Sequence, residues 1–236
     1  MKLPRCPQAV IFDMDGLLFD TETLYRSAMF AAGEDGGHLI TDALFRNTLG
    51  CPWPVAQEQL LAHFGADFPA DAFRQRVRLH FDRLAEQELA LKQGVEALLD
   101  TLEALDVPRA IATSSGHEQV RHHLAYHGLE TRFMHVVAFG DYRSGKPAPD
   151  PYLLAAERLG LDPANCLALE DSHNGVRSAA SAGMMTIMVP DLMEPTPEME
   201  SICAHITSDL HAVRDIVLAS FAQDQGKPSG PAHSPS

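Results

Sequence analysis

The stretch Gln8-Ala9-Val10-Ile11-Phe12-Asp13-Met14-Asp15-Gly16 decides the fold class of this chain. Its first five residues form a short run that is apolar from Ala9 to Phe12, which is typical of a buried β-strand. The run ends at Asp13, so the strand delivers two carboxylates, those of Asp13 and Asp15, to its carboxyl end. The stretch therefore predicts a buried strand with an acidic group at the edge of a sheet.

Beyond Gly94 the sequence alternates between apolar strands and amphipathic helices. This alternation implies right-handed crossovers and a parallel sheet that is covered by helices on both faces. We therefore predict a doubly wound α/β core formed by residues 1–19 and 91–221. The predicted strands are residues 108–112, 135–139, 165–169 and 184–189, and the predicted helices are residues 95–105, 119–127, 150–159, 175–182 and 210–221.

Residues 20–90, by contrast, carry helical patterns and no convincing strand, so they predict an all-helical lobe inserted after the first strand. The chain ends in residues 222–236, which are rich in Pro, Ser and Gly and lack apolar periodicity. Such a segment cannot offset its ordering entropy by burial, and we predict a disordered tail. The helices predicted in the lobe are residues 21–33, 42–50, 55–64 and 70–87.

The composition of the 236 residues limits the class of partner. Apolar residues make up 45% and charged residues 21%, as in an ordinary globular protein. The net charge of −14 makes a basic face for nucleic acid hard to build. No secretory signal and no apolar run of about 20 residues is found, so we expect no membrane span. Four widely spaced cysteines favour reduced thiols in a cytoplasmic protein. The oligomeric state stays open, with a monomer favoured.

Reactive side chains follow four of the predicted strands. Ligands of open α/β sheets bind outside the carboxyl ends of the strands, so these side chains can converge although they are distant in sequence. Each group alone has an ordinary explanation, such as turn chemistry or a helix N-cap, and the indication of a site depends on all four together. The groups are Asp13 with Asp15, Thr113 with Ser114, Lys146, and Glu170 with Asp171.

The carboxylates of this set suit phosphoryl transfer. Asp13 can attack phosphorus as a nucleophile if the charges of carboxylate and phosphate are offset. Mg²⁺ prefers oxygen ligands and keeps positions for water and phosphate, so it suits Asp13, Asp171 and Glu170. Asp15, whose side chain lies outside the metal shell, can protonate the leaving oxygen and later activate water.

The remaining groups of the set supply donors and positive charge. We expect the hydroxyl and backbone N–H groups of Thr113 and Ser114 to lie at a helix N-terminus and to hold phosphate oxygens. Lys146 would add positive charge beside them. Lysine is scarce in this chain, with four in total, which makes its presence in a loop after a strand more informative.

At these motifs the chain resembles the haloacid dehalogenase superfamily, and within it the phosphatases and mutases of the beta-phosphoglucomutase-like branch. The resemblance reaches to about residue 220 and implies a Rossmann-like core, an inserted helical cap that closes over the site, and an aspartyl-phosphate intermediate. It also implies that the main-chain carbonyl of Asp15 binds the metal. The motifs are Asp13-Met14-Asp15-Gly16 followed by Asp20-Thr21-Glu22, Thr113-Ser114-Ser115, Lys146-Pro147-Ala148-Pro149-Asp150-Pro151, and Glu170-Asp171-Ser172-His173-Asn174-Gly175.

Departures from the branch bear on the acceptor of the phosphoryl group. The dehalogenases lack the second aspartate of the first motif, so Asp15 favours phosphate chemistry. Mutases of the branch carry a cap-side histidine where this chain has Tyr25, and residues 49–54 depart from their basic pattern. Glu22 is a candidate substrate contact, and Trp53 is either a core residue of the cap or a second substrate contact.

These observations favour a Mg²⁺-dependent phosphatase that acts on small phosphomonoesters such as phosphosugars. A sugar-phosphate mutase, which passes the phosphoryl group to a second sugar hydroxyl instead of water, is the alternative within enzymes. A non-catalytic binding scaffold is the alternative of another class. A scaffold does not need all four of the reactive residues at once. Their joint presence therefore counts against it, and the four are Asp13, Asp15, Lys146 and Asp171.

Overall fold

The computed structural model describes residues 2–49, 51 and 53–224, and its core is one sheet of parallel strands. The strand order is β3-β2-β1-β4-β5-β6, and all neighbours pair in parallel. The predicted doubly wound α/β fold is confirmed. The strands are β1 (Ala9–Phe12), β2 (Arg109–Gly116), β3 (His135–Phe139), β4 (Cys166–Glu170), β5 (Met185–Met188) and β6 (His205–Ile206).

The continuous apolar runs of the strands reflect burial of both faces of the sheet. Alternate residues point to opposite faces of a strand, so Val10 and Phe12 join one hydrophobic cluster while Ala9 and Ile11 join another. The second face carries mostly alanines, and small side chains let the helices on this face pack close to the sheet. The helices of the core are α5 (Val95–Ala104), α6 (His117–Tyr126), α7 (Asp150–Leu159), α8 (His173–Ser181), α9 (Pro197–Ile202) and α10 (Leu210–Asp224).

Between β1 and α5 the described residues form four helices with a hydrophobic cluster of their own, a segment that we call the helical insertion (residues 21–88). Phe45, Leu60 and Phe73 are among the fully buried side chains of this cluster. The members of the insertion are α1 (Thr21–Asp35), α2 (Asp42–Thr48), α3 (Trp53–Phe64) and α4 (Ala70–Glu88).

The two chain segments that join the insertion to the sheet are bonded to each other. The backbone N–H of Asp20 donates to the carbonyl of Ala90 at 2.9 Å, and that of Lys92 donates to the carbonyl of Leu18 at 2.9 Å. Phe19 lies between these bonds and forms an antiparallel bridge with Leu91. The insertion therefore leaves and re-enters the core at one point beside the end of β1.

Several boundaries differ from the predictions. Strand β6 and helix α9 were not predicted, because two paired residues and six helical residues are too short to give a clear period. Helix α10 continues to Asp224, so the first residues of the predicted tail are helical, and residues 225–236 of that tail lie outside the described chain. None of the described helices is long and apolar enough to span a membrane.

Candidate active site

The site lies where the strand order reverses, between β1 and β4. The chain runs outward from β1 through β2 to β3 on one side, and from β4 through β5 to β6 on the other. Phe12 pairs with Leu169, so the residues that follow, Asp13 and Glu170, lie side by side at the carboxyl edge. Such a reversal opens a crevice at the strand ends, which is where α/β folds bind ligands.

Three carboxylates converge at this crevice. Asp13, Glu170 and Asp171 are all buried, and each offers a carboxylate oxygen within 4.8 Å of the others. The chain therefore brings together residues 13 and 171, as the strand-end rule predicts. Three buried oxygens at this spacing form a donor set that fits a hard divalent cation.

Lys146 joins two of these carboxylates. Its Nζ lies 2.5 Å from Asp13 Oδ1 and 2.5 Å from Glu170 Oε1, and its side chain is almost fully buried. Tyr152, in the first turn of α7, donates its hydroxyl to the same Glu170 oxygen at 2.7 Å. The other oxygen of Glu170 accepts bonds from the backbone N–H and the hydroxyl of Ser172. Both oxygens of Glu170 are thus held by the protein.

The carboxylates outnumber the positive charge beside them. Burial raises the pKa of Asp13 from 3.8 to about 7, and the charges of Glu170 and Asp15 add to the rise while Lys146 opposes it. Burial, together with Asp13 and Glu170, also raises the pKa of Asp171 well above its ordinary value. Burial alone would lower the pKa of Lys146, but the two carboxylates raise it. The excess of negative charge is a second reason why this donor set fits a cation.

Gly16 allows Asp171 to approach the turn after β1. A Cβ at Gly16 would lie 2.3 Å from Asp171 Oδ2, and its φ of +79° is a conformation that glycine adopts without strain. The backbone N–H of Gly16 donates to Thr21 Oγ1 at 3.1 Å, which ties this turn to the start of α1. The DMDG motif therefore needs its glycine for space as well as for backbone shape.

Asp15 is hydrogen-bonded to a side chain of strand β2. The hydroxyl of Ser115 donates to Asp15 Oδ2 at 2.6 Å, and the backbone N–H of Ser115 donates to Thr113 Oγ1 at 3.0 Å. This bond gives Asp15 a fixed orientation beside Asp13. Ser115 was not assigned a role from the sequence, although it directly follows two candidate residues.

The predicted helix N-terminus at Thr113 and Ser114 is wrong. Both residues lie in β2, which extends to Gly116, and α6 begins at His117 with no side-chain cap. The reason is that β2 pairs with β3 as far as Gly116 and Phe139. The Thr113 hydroxyl accepts a bond from the Ser115 N–H, and the Ser115 hydroxyl donates to Asp15. Thr113 is buried and Ser114 is exposed, so Ser114 remains accessible at the irregular end of the strand.

The two candidate substrate contacts lie in different surroundings. Glu22, in the first turn of α1, has its pKa raised from 4.5 to about 7 by burial and by the charges of Asp191, Asp15 and Asp20, against the effect of a nearby lysine. Trp53 packs against the hydrophobic cluster of the helical insertion, and the guanidinium carbon of an arginine in α4 lies 4.9 Å from its ring centroid. Glu22 is thus at the edge of the acidic site, whereas the contacts of Trp53 lie within the insertion.

Two further residues at the site were not predicted from the sequence. Tyr152 lies six positions after Lys146 and directly follows its motif, and only the structure shows that it reaches Glu170. Asp191 follows β5 and accepts a bond from the Lys92 ammonium at 2.7 Å. The strand-end rule that selected Asp13 and Asp171 applies equally to Asp191 and could have found it.

Comparisons with known proteins agree with this architecture. The family model described as haloacid dehalogenase-like hydrolase matches residues 7–183. A Drosophila melanogaster protein named as a probable pseudouridine-5'-phosphatase is 37% identical over 89% of this chain and 92% of its own. A phosphatase of phosphorylated carbohydrates from Thermotoga maritima is 35% identical over 76% of this chain and 83% of its own.

A solved structure extends the likeness to three dimensions. The crystal structure of a beta-phosphoglucomutase-like protein from Thermotoga maritima superposes with a TM-score of 0.77 at 29% identity. The match covers 89% of this chain and 98% of the other. Together with the family model, which covers most of the sheet and the whole helical insertion, these findings confirm the predicted resemblance. The chain belongs to the haloacid dehalogenase-like hydrolase family.

Proposed function

We propose that this hydrolase is a Mg²⁺-dependent phosphatase that cleaves small phosphomonoesters through a phosphorylated Asp13. The observation that carries the proposal is the position of Asp13. Its carboxylate is buried within 4.8 Å of two other acidic groups and contacts the Lys146 ammonium. A nucleophilic carboxylate needs such nearby positive charge to approach an anionic phosphate.

The cation would be held by Asp13, Asp171 and the main-chain carbonyl of Asp15. When bound, Mg²⁺ would offset the negative charge of the carboxylates and of the substrate phosphate. Both oxygens of Glu170 already accept bonds from protein donors, which favours a role for Glu170 in orienting Lys146 and in contacting the cation through water. Outer partners of this kind are a common part of metal sites.

Asp13 and Asp15 have different roles in the proposed reaction. Asp13 attacks phosphorus, a bond forms between its oxygen and phosphorus, and the bond from phosphorus to the leaving oxygen breaks as Asp15 gives that oxygen a proton. A water molecule then attacks the same phosphorus and loses its proton to Asp15. The bond from phosphorus to the Asp13 oxygen breaks, which restores both residues and releases phosphate. The Ser115 hydroxyl, 2.6 Å from Asp15, would hold the carboxyl in position for both transfers.

The phosphate oxygens would be bound by Lys146, the Ser114 hydroxyl and backbone N–H groups around Thr113. An ammonium has three N–H donors, and two of those of Lys146 are used by Asp13 and Glu170. The third remains for the phosphate of the substrate. The exposure of Ser114 at the end of β2 agrees with a role in contacting a ligand.

The names of the relatives support a phosphorylated sugar or nucleoside as substrate. We propose that the helical insertion acts as a cap over the site, with Glu22 as a contact for the sugar. Trp53 is less favoured, because it packs within the insertion. Tyr25, at the position of the mutase histidine, favours water as the acceptor of the phosphoryl group. We further propose that the protein is a cytoplasmic monomer.

Phosphate release from a panel of sugar and nucleoside monophosphates, with Mg²⁺ or with EDTA, tests the proposal. Wild type is compared with Asp13→Asn and with Asp100→Asn, an exposed aspartate of α5 that serves as a control for the loss of charge. We expect Mg²⁺-dependent release by wild type and the control, and none by Asp13→Asn. Equal turnover by Asp13→Asn would show that Asp13 is not the nucleophile. Isomerisation of a sugar phosphate without phosphate release would favour the mutase.

A further inference from the structure

Asp191, in the loop after β5, has one carboxylate oxygen that is buried and has no hydrogen-bond partner among the described residues. Its side chain is 10% exposed, and its Oδ1 accepts a bond from the Lys92 ammonium at 2.7 Å. Its Oδ2 is shielded from solvent and accepts no hydrogen bond from residues 2–49, 51 or 53–224. A buried carboxylate oxygen that has lost its water needs another donor or a cation, so this oxygen points to a missing ligand.

Lys92 fixes the direction of this oxygen. It lies where the chain returns from the helical insertion, and its backbone N–H is bonded to Leu18 of the outgoing segment. Because the ammonium holds Oδ1, the carboxylate cannot rotate to bring Oδ2 into solvent without losing that bond. The neighbouring acidic side chains of Glu22 and Asp20 form no hydrogen bond with Oδ2 in the described chain.

The free oxygen borders the same gap as the candidate cation ligand Asp171. A Cβ on Gly16 would lie 2.3 Å from Asp171 Oδ2 and 3.5 Å from Asp191 Oδ2. The two oxygens therefore flank the space that glycine leaves open. Among the described residues, the acidic group with oxygens within 4.8 Å of one another contains Asp13, Glu170 and Asp171 but not Asp191. Asp191 therefore lies outside the set of direct cation ligands.

We propose that Asp191 is a positioning residue for the divalent cation, with its Oδ2 accepting a hydrogen bond from a water molecule on that cation. The inference rests on the cation site of the proposed function. Mg²⁺ keeps several of its waters in protein sites, and acceptors outside the direct ligands orient them. A substrate phosphate is a poor occupant of the same gap, because two carboxylates would repel it.

The binding of Mn²⁺ to the full chain, followed by the loss of the free-ion electron paramagnetic resonance signal, tests the inference. Asp191→Asn keeps the shape and an acceptor for Lys92 but turns an N–H₂ donor toward the gap. Asp209→Asn is the matched control: Asp209 lines the same cavity as Lys92 and caps α10 through the N–H of Ala212, a bond that asparagine also makes.

We expect Asp191→Asn to weaken Mn²⁺ binding by about 10-fold or more, the usual effect of losing such a partner, and Asp209→Asn to change it by less than about 2-fold. An equal loss of Mn²⁺ affinity in the two variants would mean that Asp191 acts only through its charge, and it would overturn the inference. So would an Asp191→Asn variant that binds like wild type. A wild type that binds no Mn²⁺ would instead overturn the cation site of the proposed function.

A second variant separates orientation from charge, and it serves equally if Asp191→Asn fails to fold. Lys92→Met removes a positive charge near the site, which by electrostatics alone would tighten cation binding. It also frees Asp191 Oδ1, so the positioning role predicts binding that is several-fold weaker. Tighter binding by Lys92→Met would contradict that role.

Discussion

The Lys146 ammonium lies 2.5 Å from Asp13 Oδ1, and both side chains are more than nine-tenths buried. A buried pair of this kind is balanced only while both charges are present, because the interior cannot solvate the charge that remains when one is removed. Lys146 therefore serves the fold and the chemistry at once. It opposes the effect of burial on the pKa of Asp13, the proposed nucleophile, and it lies where the phosphate of a substrate would need a positive charge.

Replacing Lys146 by methionine should lower both stability and activity. The substitution leaves the carboxylates of Asp13 and Glu170 buried without their counter-charge, which typically costs about 3–5 kcal/mol. Urea unfolding in EDTA measures this loss, and Mg²⁺ should recover part of it because the cation supplies positive charge. Phosphatase activity should fall by about 100-fold or more. Lys2→Met, at an exposed lysine, is the control and should change neither property.

The sequence predicts the strand ends well because a parallel sheet buried on both faces leaves a continuous apolar run. Asp13 and Asp171 follow such runs, and their meeting needs only the rule that the carboxyl ends of parallel strands share an edge. The position of Thr113 could not be predicted in the same way. Its place in β2 follows from the pairing of this strand with β3 as far as Gly116 and Phe139, and Ser115 is bonded to Asp15, which lies 100 residues away in the chain.

Partners that reach a site from other elements are equally hidden in a single sequence. Tyr152 and Lys92 contact Glu170 and Asp191 only because helix α7 and the returning segment of the insertion pack where they do. No local pattern records those contacts. The register and packing of the whole core fix them, which is why the sequence predicts carboxylates at strand ends but not the side chains that contact them.

Substituting Gly16 by alanine should disrupt the site more than it disrupts the fold. The new Cβ would meet Asp171 Oδ2 at 2.3 Å, and the positive φ adds a backbone cost of about 1–2 kcal/mol. Gly128→Ala is a matched control, because Gly128 also has a positive φ, +65°, but open space around its Cβ. Both variants should lose similar stability in urea, whereas only Gly16→Ala should lose Mn²⁺ binding and activity. Full activity in Gly16→Ala would contradict the close approach of Asp171.

The cation-free protein should become less stable as the pH rises from about 4 to 7. The pKa of Asp13 is 3.8 ordinarily and about 7 in the fold, so between these values the folded state binds the extra proton and stability falls with rising pH. The raised pKa of Asp171 acts in the same direction. Asp141 acts oppositely but below this range: burial would raise its pKa, bonds from His117, Ala138 and Arg158 hold it at about 2, and its stabilising effect is therefore almost complete by about pH 4.

The contribution of Asp13 is therefore measured as the difference between wild type and Asp13→Asn. Unfolding free energies in EDTA at several pH values should show that wild type loses more stability than the variant from pH 4 to 7. Saturating Mg²⁺ should abolish most of this difference, because the cation stabilises the ionised carboxylate. Parallel pH profiles for the two proteins in EDTA would mean that Asp13 titrates normally in the fold.

Replacing Ser115 by alanine should slow turnover in a way that depends on the leaving group. The substitution removes the 2.6 Å bond to Asp15, so the proposed acid is no longer held toward the leaving oxygen. A sugar phosphate has a basic leaving oxygen that needs a proton, whereas p-nitrophenyl phosphate releases a stable anion. We expect kcat to fall about 10-fold or more for the sugar phosphate and much less for the nitrophenyl ester, with KM nearly unchanged. Ser144→Ala, at an exposed serine that bonds Asp150 through its backbone N–H, should leave both rates unaltered. Equal losses for the two substrates would mean that Ser115 acts on some step other than proton transfer to the leaving oxygen.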